Sequence, residues 1–503
     1  MLLPPDLRDW LPEDHMVHFI LDVVQSMDIS GFSVNVRGTG SRQYPPSMML
    51  ALLVYCYCTG RFSSRVIEEA SYCDVAVRYI CAGEHPDHDT ICTFRRINRE
   101  AFEKFFVHVL EVAALSKLMK KVGTVSVDGT KIHANASKHS AVSYDRAQEM
   151  LKQLENEVAA LTEKAEQSDR SQPEDCAFNL PDEIARRKER KAKIAEAVAV
   201  IESRHEEKLA QQRKDYEEKV SKRATERAEG KNPKGREPKE PSADVEGKAQ
   251  YNFTDPESRI MKSGTGKHFE QSYNAQAGVE VESMLIVSTA LSNQPNDKQE
   301  LLPMLDAARS NGFEVNKVLA DTGYYSEDNV TGAQARRAEP YIAVEKQSHG
   351  IKLESILTGA TVGEAPELPA GATAKEQMAH KLKTPEGASL YRLRKQTVEP
   401  VFGIIKHCMG FRQFLTRGKE KVTNEWNLVC TAYNLKRIFN LKGVQDREAL
   451  SKSQPKTAQE EQSRRPNRQI CKNKAFTTYS AYCYHKIFCA LCEFFKFTRF
   501  SLN

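Results

Sequence analysis

"KVGTVSVDGTKIHA", residues 121–134, sets Val122, Thr124 and Ser126 against Val125 and Val127 and then meets Asp128-Gly129. Alternation with period two is the mark of a strand and Asp-Gly is turn chemistry. The stretch therefore predicts a β-strand that stops with a carboxylate at its end. A second strand is predicted in "EVNKVLADTGYYS", whose apolar run Val315, Val318 and Leu319 ends at Asp321. Between them, "QYNFTDPESRIMK" and "SYNAQAGVEVESMLIVSTALS" predict two or three strands, and "NDKQELLPMLDAARSNG" a helix capped by Asn296 or Asp297 and closed by Gly312. "PYIAVEK" adds a strand after a short helix, and helices are predicted at 388–410 and 421–440. Carboxylates ending neighbouring strands joined by a right-handed crossover lie together at one sheet edge, so the expectation is an α/β fold with an acidic site there.

A third carboxylate stands in "YRLRKQTVEPVFGIIKH", residues 391–407, where Glu399 is surrounded by Arg392, Arg394, Lys395 and Lys406. On a helix, Lys395 and Phe402 fall one turn either side of Glu399 and Lys406 two turns on, while Val398, Val401 and Ile405 pack inward. Pro400 disfavours helical geometry at Glu399, which predicts that the helix starts or kinks there and leaves Glu399 at a helix N-terminus. Carboxylates brought together repel unless a cation neutralises them. Mg²⁺ prefers oxygen ligands, and two such ions about 3.5–4 Å apart promote in-line phosphodiester displacement. The surrounding bases then suit DNA phosphates.

The chain has 503 residues and a net charge of +5, from 73 Lys and Arg against 68 Asp and Glu. That balance allows a nucleic-acid partner without requiring one. Twelve cysteines are scattered, and the opening "MLLPPDLRDWLPEDH" lacks a basic start and an apolar core, so a reduced, cytoplasmic, soluble protein is expected. "MMLALLVYCYC" at 48–58 is too short for a membrane span and predicts a buried helix ended by Gly60.

Residues 1–118 read as a helical domain. Ile91, Phe94, Ile97, Phe102 and Phe106 form an apolar stripe after Pro86 and Asp87, and "TFRR" starts a helix. Both a helix-turn-helix-like DNA reader and a plain helical bundle fit. Residues 141–243 differ in kind. Leu151, Leu154, Val158 and Leu161 step by three and four, and a second run at 182–228 is dense in Lys, Glu, Arg and Ala. A protruding antiparallel helical hairpin is predicted, inserted between 119–140 and 249–442, which together form the α/β domain. Its charges read as a solvated face, with contact to DNA or a second protomer as the alternative.

"VSVDGTKIHANAS", "VLADTGYYS" and the series Tyr391, Arg394, Glu399, Lys406 resemble the DDE motifs of bacterial insertion-sequence transposases. Within the insertion-sequence four/five-like assemblage, the chain is most similar to the eleven-eighty-two-like elements. "LPEDHMVHFILDVV", "RQYPPSMMLALLVYCYCTG" and "PDHDTICTFRR" resemble the leading domain of that family, and the likeness covers roughly residues 1–440. It implies a ribonuclease-H-like catalytic domain in which Asp128, Asp321 and Glu399 bind Mg²⁺ (or Mn²⁺), as two ions. It also implies that Tyr391, Arg394 and Lys406 handle DNA at the cleavage site. Four residues separate Arg394 from Glu399 where the assemblage usually has three, so Lys395 stands beside Arg394 for the family's arginine. Arg95, Arg96 and Arg99 are candidates for recognising the element's ends. Expected partners are terminal inverted repeats, target DNA and a second copy of the chain, with no membrane, in the cytoplasm on the nucleoid.

Two other classes compete: a transposase-derived DNA-binding or scaffold protein without catalysis, and a ribonuclease-H-like nuclease. "SGTGKHFE" at 263–270 is not a phosphate loop, since Met261 stands where glycine is needed. Beyond 442 the chain turns polar and then aromatic. Cys483, His485, Cys489 and Cys492 contain a CxxC with no second CxxC to pair with it, so the segment reads as a disordered or accidental extension rather than a zinc site.

Overall fold

The computed structural model describes residues 6–34, 43–170, 180–228, 237–262, 268–344 and 372–453. They fall into two compact units, one within Met1–Ile132 and Asn274–Asn503, the other within His133–Tyr273. The GTGK stretch at 263–267 and the aromatic tail from 454 lie outside the described residues.

The first unit opens with α1 (Met16–Gln25), α2 (Pro46–Cys58), α3 (Ser64–Cys73), α4 (Val75–Ile80), α5 (His88–Ile97) and α6 (Arg99–Leu115). Every residue of α2 from Met49 to Cys58 is buried, as an all-round apolar helix requires. Gly60 ends it at φ +82°, and a Cβ there would stand 2.8 Å from the Met409 carbonyl oxygen. Asp74 and Asp87 cap α4 and α5 by accepting from backbone N–H groups of their first turns. Strand β1 (Val122–His133) follows. It does not stop at Asp128-Gly129 as expected but continues five residues past Asp128, because glycine is sterically permissive and neighbouring strands pair the backbone on through.

The second unit holds β2 (Ala141–Ser143), α7 (Tyr144–Arg170), α8 (Leu180–Ala228), β3 (Gln250–Asn252) and β4 (Arg259–Lys262). Tyr144 bonds Glu202, Glu155 pairs with Lys191 and Glu157 with Arg187, a descending register that makes α7 and α8 antiparallel. At the base of this pair Ala147 and Leu154 join Ile194, Ala197, Val198 and Ile201 in a buried apolar cluster, with Val142 and Tyr251 from the antiparallel β2–β3 ribbon. Helix α8 has 49 residues, about 70 Å at 1.5 Å per residue. The compact unit is wider than the expected insert at 141–243, taking in β3 and β4 as well.

Strand β5 (Phe269–Glu280) leads back into the first unit, followed by β6 (Ile286–Ser292), α9 (Leu301–Ser310), β7 (Glu314–Ala320), α10 (Glu327–Ala335) and β8 (Glu339–Ile342). The sheet of this unit runs β6-β5-β1-β7-β8. β5 and β6 are antiparallel, whereas β1, β7 and β8 are parallel, with Val125 beside Val318 and Leu319 beside Tyr341. Neither Asn296 nor Asp297 caps α9. Its N-cap is Glu300, without a side-chain cap bond, because Asp297 is held elsewhere by two buried amides.

Helices α11 (Ala374–Lys383), α12 (Pro385–Gly403) and α13 (Lys419–Ser453) complete the unit. Pro400 neither starts α12 nor ends it, so Glu399 lies in the last turn of the helix rather than at an N-terminus. The start is set upstream, where Thr384 caps and Pro385 takes the first position. Beyond Gly403 the chain widens into a π turn over Ile404–Cys408.

Helix α13 joins the leading helices to the sheet. Asn434 exchanges two hydrogen bonds of 2.8 Å with the backbone of Ile286, and the Trp426 indole donates to the Gln276 carbonyl. On its other side, Cys58 donates to the Ala432 carbonyl and Asn424 to that of Arg95. The helices of residues 1–118 thus share a unit with the sheet.

Candidate active site

Ser126 pairs with Leu319 across the parallel strands β1 and β7, so Asp128 and Asp321 each lie two residues further in the same direction. Asp128 accepts from the Gly129 N–H, and Asp321 caps the turn Thr322–Tyr324 by accepting from the Gly323 N–H, both at 2.8 Å. Helix α12 brings the third carboxylate. Arg394 donates through Nη1 to Asp128 Oδ2 at 3.1 Å and through Nη2 to Glu399 Oε1 at 3.3 Å. The arginine side chain is 9% exposed, Asp128 19% and Glu399 51%. The Tyr391 ring lies 6.0 Å from the guanidinium carbon. Arg394, not Lys395, is therefore the basic residue that turns toward the carboxylates, and Lys395 is exposed.

Burial dominates the electrostatics. It pushes the Asp128 carboxyl up to about 7, against the pull of the Arg394 charge and with further push from Asp321. Lys406 donates to Thr130 Oγ1 at 2.6 Å and to the Lys131 carbonyl at 2.8 Å, so it ties α12 to β1 beside Asp128, and burial lowers its pKa. Its ammonium is committed to the protein rather than presented for DNA.

Three hard oxygen donors around a space that already stabilises a buried cation suit a divalent metal. As they stand, however, the described residues contain no group of three acidic, histidine or cysteine side chains gathered closely enough to hold one. The guanidinium of Arg394 bridges Asp128 and Glu399, and its Nε has no hydrogen-bond partner among the described residues.

A fourth carboxylate escaped the sequence reading. Asp297 Oδ1 accepts from Asn274 Nδ2 at 2.6 Å and from Gln276 Nε2 at 2.8 Å, and Gln276 Oε1 accepts from the Tyr324 hydroxyl. The signal was present in "SYNAQAG": two amides at alternate positions of a strand point to one face, an odd choice for a core strand.

The arginines of the leading helices separate. Arg95 is buried, with Nη1 donating to the Tyr57 hydroxyl at 2.8 Å and to the Phe62 carbonyl at 3.3 Å. It cannot read DNA edges from there, which corrects its assignment to end recognition. Arg99 pairs with Glu103 and Glu420, and Arg96 is exposed. Replacing Arg95 with alanine should cost about 2–4 kcal/mol of stability, because it strands buried polar partners, and leave the folded protein's DNA affinity unchanged. Urea unfolding and a binding isotherm check the two halves separately.

Two acids, one on β1 and one just past the end of the parallel neighbour β7, and a third on a covering helix define a mixed α/β protein with an acidic site. Among known families, the model described as Transposase DDE domain matches residues 367–439, and that described as Transposase domain (DUF772) matches residues 5–96. These matches support a transposase of the bacterial insertion-sequence kind, an enzyme acting on DNA, and the mixed sheet is consistent with a ribonuclease-H-like fold. Glu399, Tyr391, Arg394, Lys395 and Lys406 fall inside the first match, and Arg95 and Arg96 inside the second, whereas Asp128 and Asp321 fall outside both. No curated protein and no solved structure matches the chain. Among the described residues no helix is long and apolar enough to cross a membrane.

Proposed function

We propose that the protein is a DDE transposase, nearest the eleven-eighty-two-like elements of the insertion-sequence four/five assemblage. It binds the terminal inverted repeats of its own element as a homodimer on the nucleoid, cleaves a phosphodiester there and joins the freed 3′-hydroxyl to target DNA. The observation that carries this reading is the convergence of Asp128 and Glu399, from remote segments, on one buried arginine beside Asp321. Asp128, Asp321 and Glu399 would hold Mg²⁺ or Mn²⁺, as two ions. Bound there, the metal supplies Lewis-acid stabilisation of the attacking and leaving oxygens.

The chain's own residues do the rest. Asp128 on β1 and Asp321 just past the end of β7 supply two of the donors. Glu399, half exposed on a helix end, closes the donor set from the solvent side. Exposed Arg392 and Lys395 line the approach of the phosphate backbone, and Tyr391 packs at the guanidinium that bridges Asp128 and Glu399. Arg96, exposed on α5, and Arg99, partly exposed at the start of α6, remain the leading-helix candidates for the element's ends.

The test is a labelled duplex carrying the inverted repeat that flanks the gene, incubated with protein and Mg²⁺ or Mn²⁺ beside Glu399→Gln. Nicking at the repeat boundary, lost in the variant, is expected, and strand transfer of the product separates a transposase from a simple nuclease. Binding without cleavage by either protein would favour the scaffold reading, and repeating the assay without residues 445–503 tells whether that segment is responsible. A pH dependence follows as well. With the Asp128 carboxyl near 7, metal must displace a proton, so apparent Mn²⁺ affinity should rise with pH up to about 7 and level off above it. An affinity flat between pH 5 and 8 would contradict this.

A further inference from the structure

Asp297 has no part in the family motif and lies on a turn before α9, yet the structure surrounds it with unusual care. Asn274 and Gln276 are both buried on the central part of β5 and both spend an amide on the same carboxylate oxygen. Gln276 is held in turn by the hydroxyl of buried Tyr324, three residues after Asp321. Two glycines make room for the group. A Cβ on Gly129, next to Asp128, would lie 2.8 Å from Asn274 Oδ1 and 2.9 Å from Asp297 Oδ1. A Cβ on Gly323, in the turn after Asp321, would lie 3.5 Å from Asp297 Oδ2. One oxygen of Asp297 thus rests against the backbone beside Asp128 and the other against the backbone beside Asp321.

We infer that Asp297 is a positioning residue of the acidic site: with Asn274, Gln276 and Tyr324 it forms a wedge that sets the separation of Asp128 and Asp321. The inference rests on the proposed metal-dependent reading and adds a residue to it. The ladder between β1 and β7 ends at Ser126 and Leu319, short of Asp128 and Asp321, so hydrogen bonds between these two strands do not fix the spacing of the aspartates. One oxygen of this carboxylate accepts two amide donors carried by β5, which holds the group against that strand and makes it a spacer. Its negative charge adds to the push on the Asp128 carboxyl, so it also strengthens the local field that a divalent cation relieves. An apolar side chain at 297 would offer no acceptor to Asn274 or Gln276 and would break the wedge.

The experiment is Mn²⁺ binding without DNA, read by electron paramagnetic resonance of the free ion at pH 8, on the full chain, Asp297→Leu and Gly129→Ala. Circular dichroism and thermal midpoints report folding alongside. Both folded variants should bind Mn²⁺ at least tenfold more weakly than wild type, the first by losing the wedge and the second by pushing it away. A loss below tenfold in either folded variant overturns the inference, since a merely structural role would move the midpoint and not the affinity. If only one variant folds, that one decides; unfolding of both would make Asp297 a residue of the fold and overturn it too. Wild type that binds no Mn²⁺ would sink the metal reading itself, a failure distinct from equal binding by all three.

Discussion

Asp128→Asn should remove metal-dependent nicking, by about 10³-fold or more, and yet stabilise the metal-free protein at pH 8. The two effects have one cause. The buried carboxyl titrates near 7 in the folded chain, against an ordinary value of 3.8. Between those pH values the native state keeps a proton that the unfolded chain has released, so stability falls as pH rises. The loss begins near 3.8, is complete above about 7 and amounts to at most about 4 kcal/mol. Asparagine keeps an oxygen for the Arg394 Nη1 donor and never ionises, so the variant should show no such slope. Urea unfolding of both proteins at pH 5 and 8 without metal is the check. Parallel pH dependences would mean that Asp128 stays ionised in the native state and that the destabilising burial is absent.

Arg394→Gln is expected to bind Mn²⁺ about tenfold more tightly than wild type while cutting DNA about a hundredfold more slowly. The guanidinium bridges two of the three carboxylates, so a metal entering that space meets a resident positive charge at hydrogen-bond range. Even with strong screening, like charges about 4 Å apart repel by several kcal/mol, so neutralising the arginine favours the ion. The same change removes the rigid bidentate fork suited to phosphate, which slows the reaction on DNA. Weaker Mn²⁺ binding in the variant would show the opposite arrangement, in which the arginine organises the carboxylates and stays beside the metal.

Much of the molecule was legible in the residues. The helix over 46–58 follows from an unbroken apolar run, and its end from a glycine that adopts φ +82°. The neighbouring strands β1 and β7 follow from an alternating segment and an apolar run, each leading to an aspartate. Errors arose where one local rule met a stronger neighbour. Asp-Gly reads as a turn, but at 128–129 pairing with flanking strands kept the chain extended. Proline reads as a helix break, but at 400 the helix had already formed from Thr384 and ran on. An aspartate before an apolar helix reads as a cap, but Asn274 and Gln276 claimed Asp297 first.

The sequence by itself determined which segments are strands and helices, and which three carboxylates are candidates, because periodicity, glycine and motif spacing act over a few residues. Only the tertiary structure decided the partners. It turned Arg394 inward and left Lys395 in solvent, although the two are adjacent in sequence, since one helical step of about 100° separates the buried face from the exposed one. It buried Arg95 against Tyr57 and set Asp297 between Gly129 and Gly323. Those choices depend on charge, burial and steric room contributed by chain segments hundreds of residues apart, and no local pattern records them.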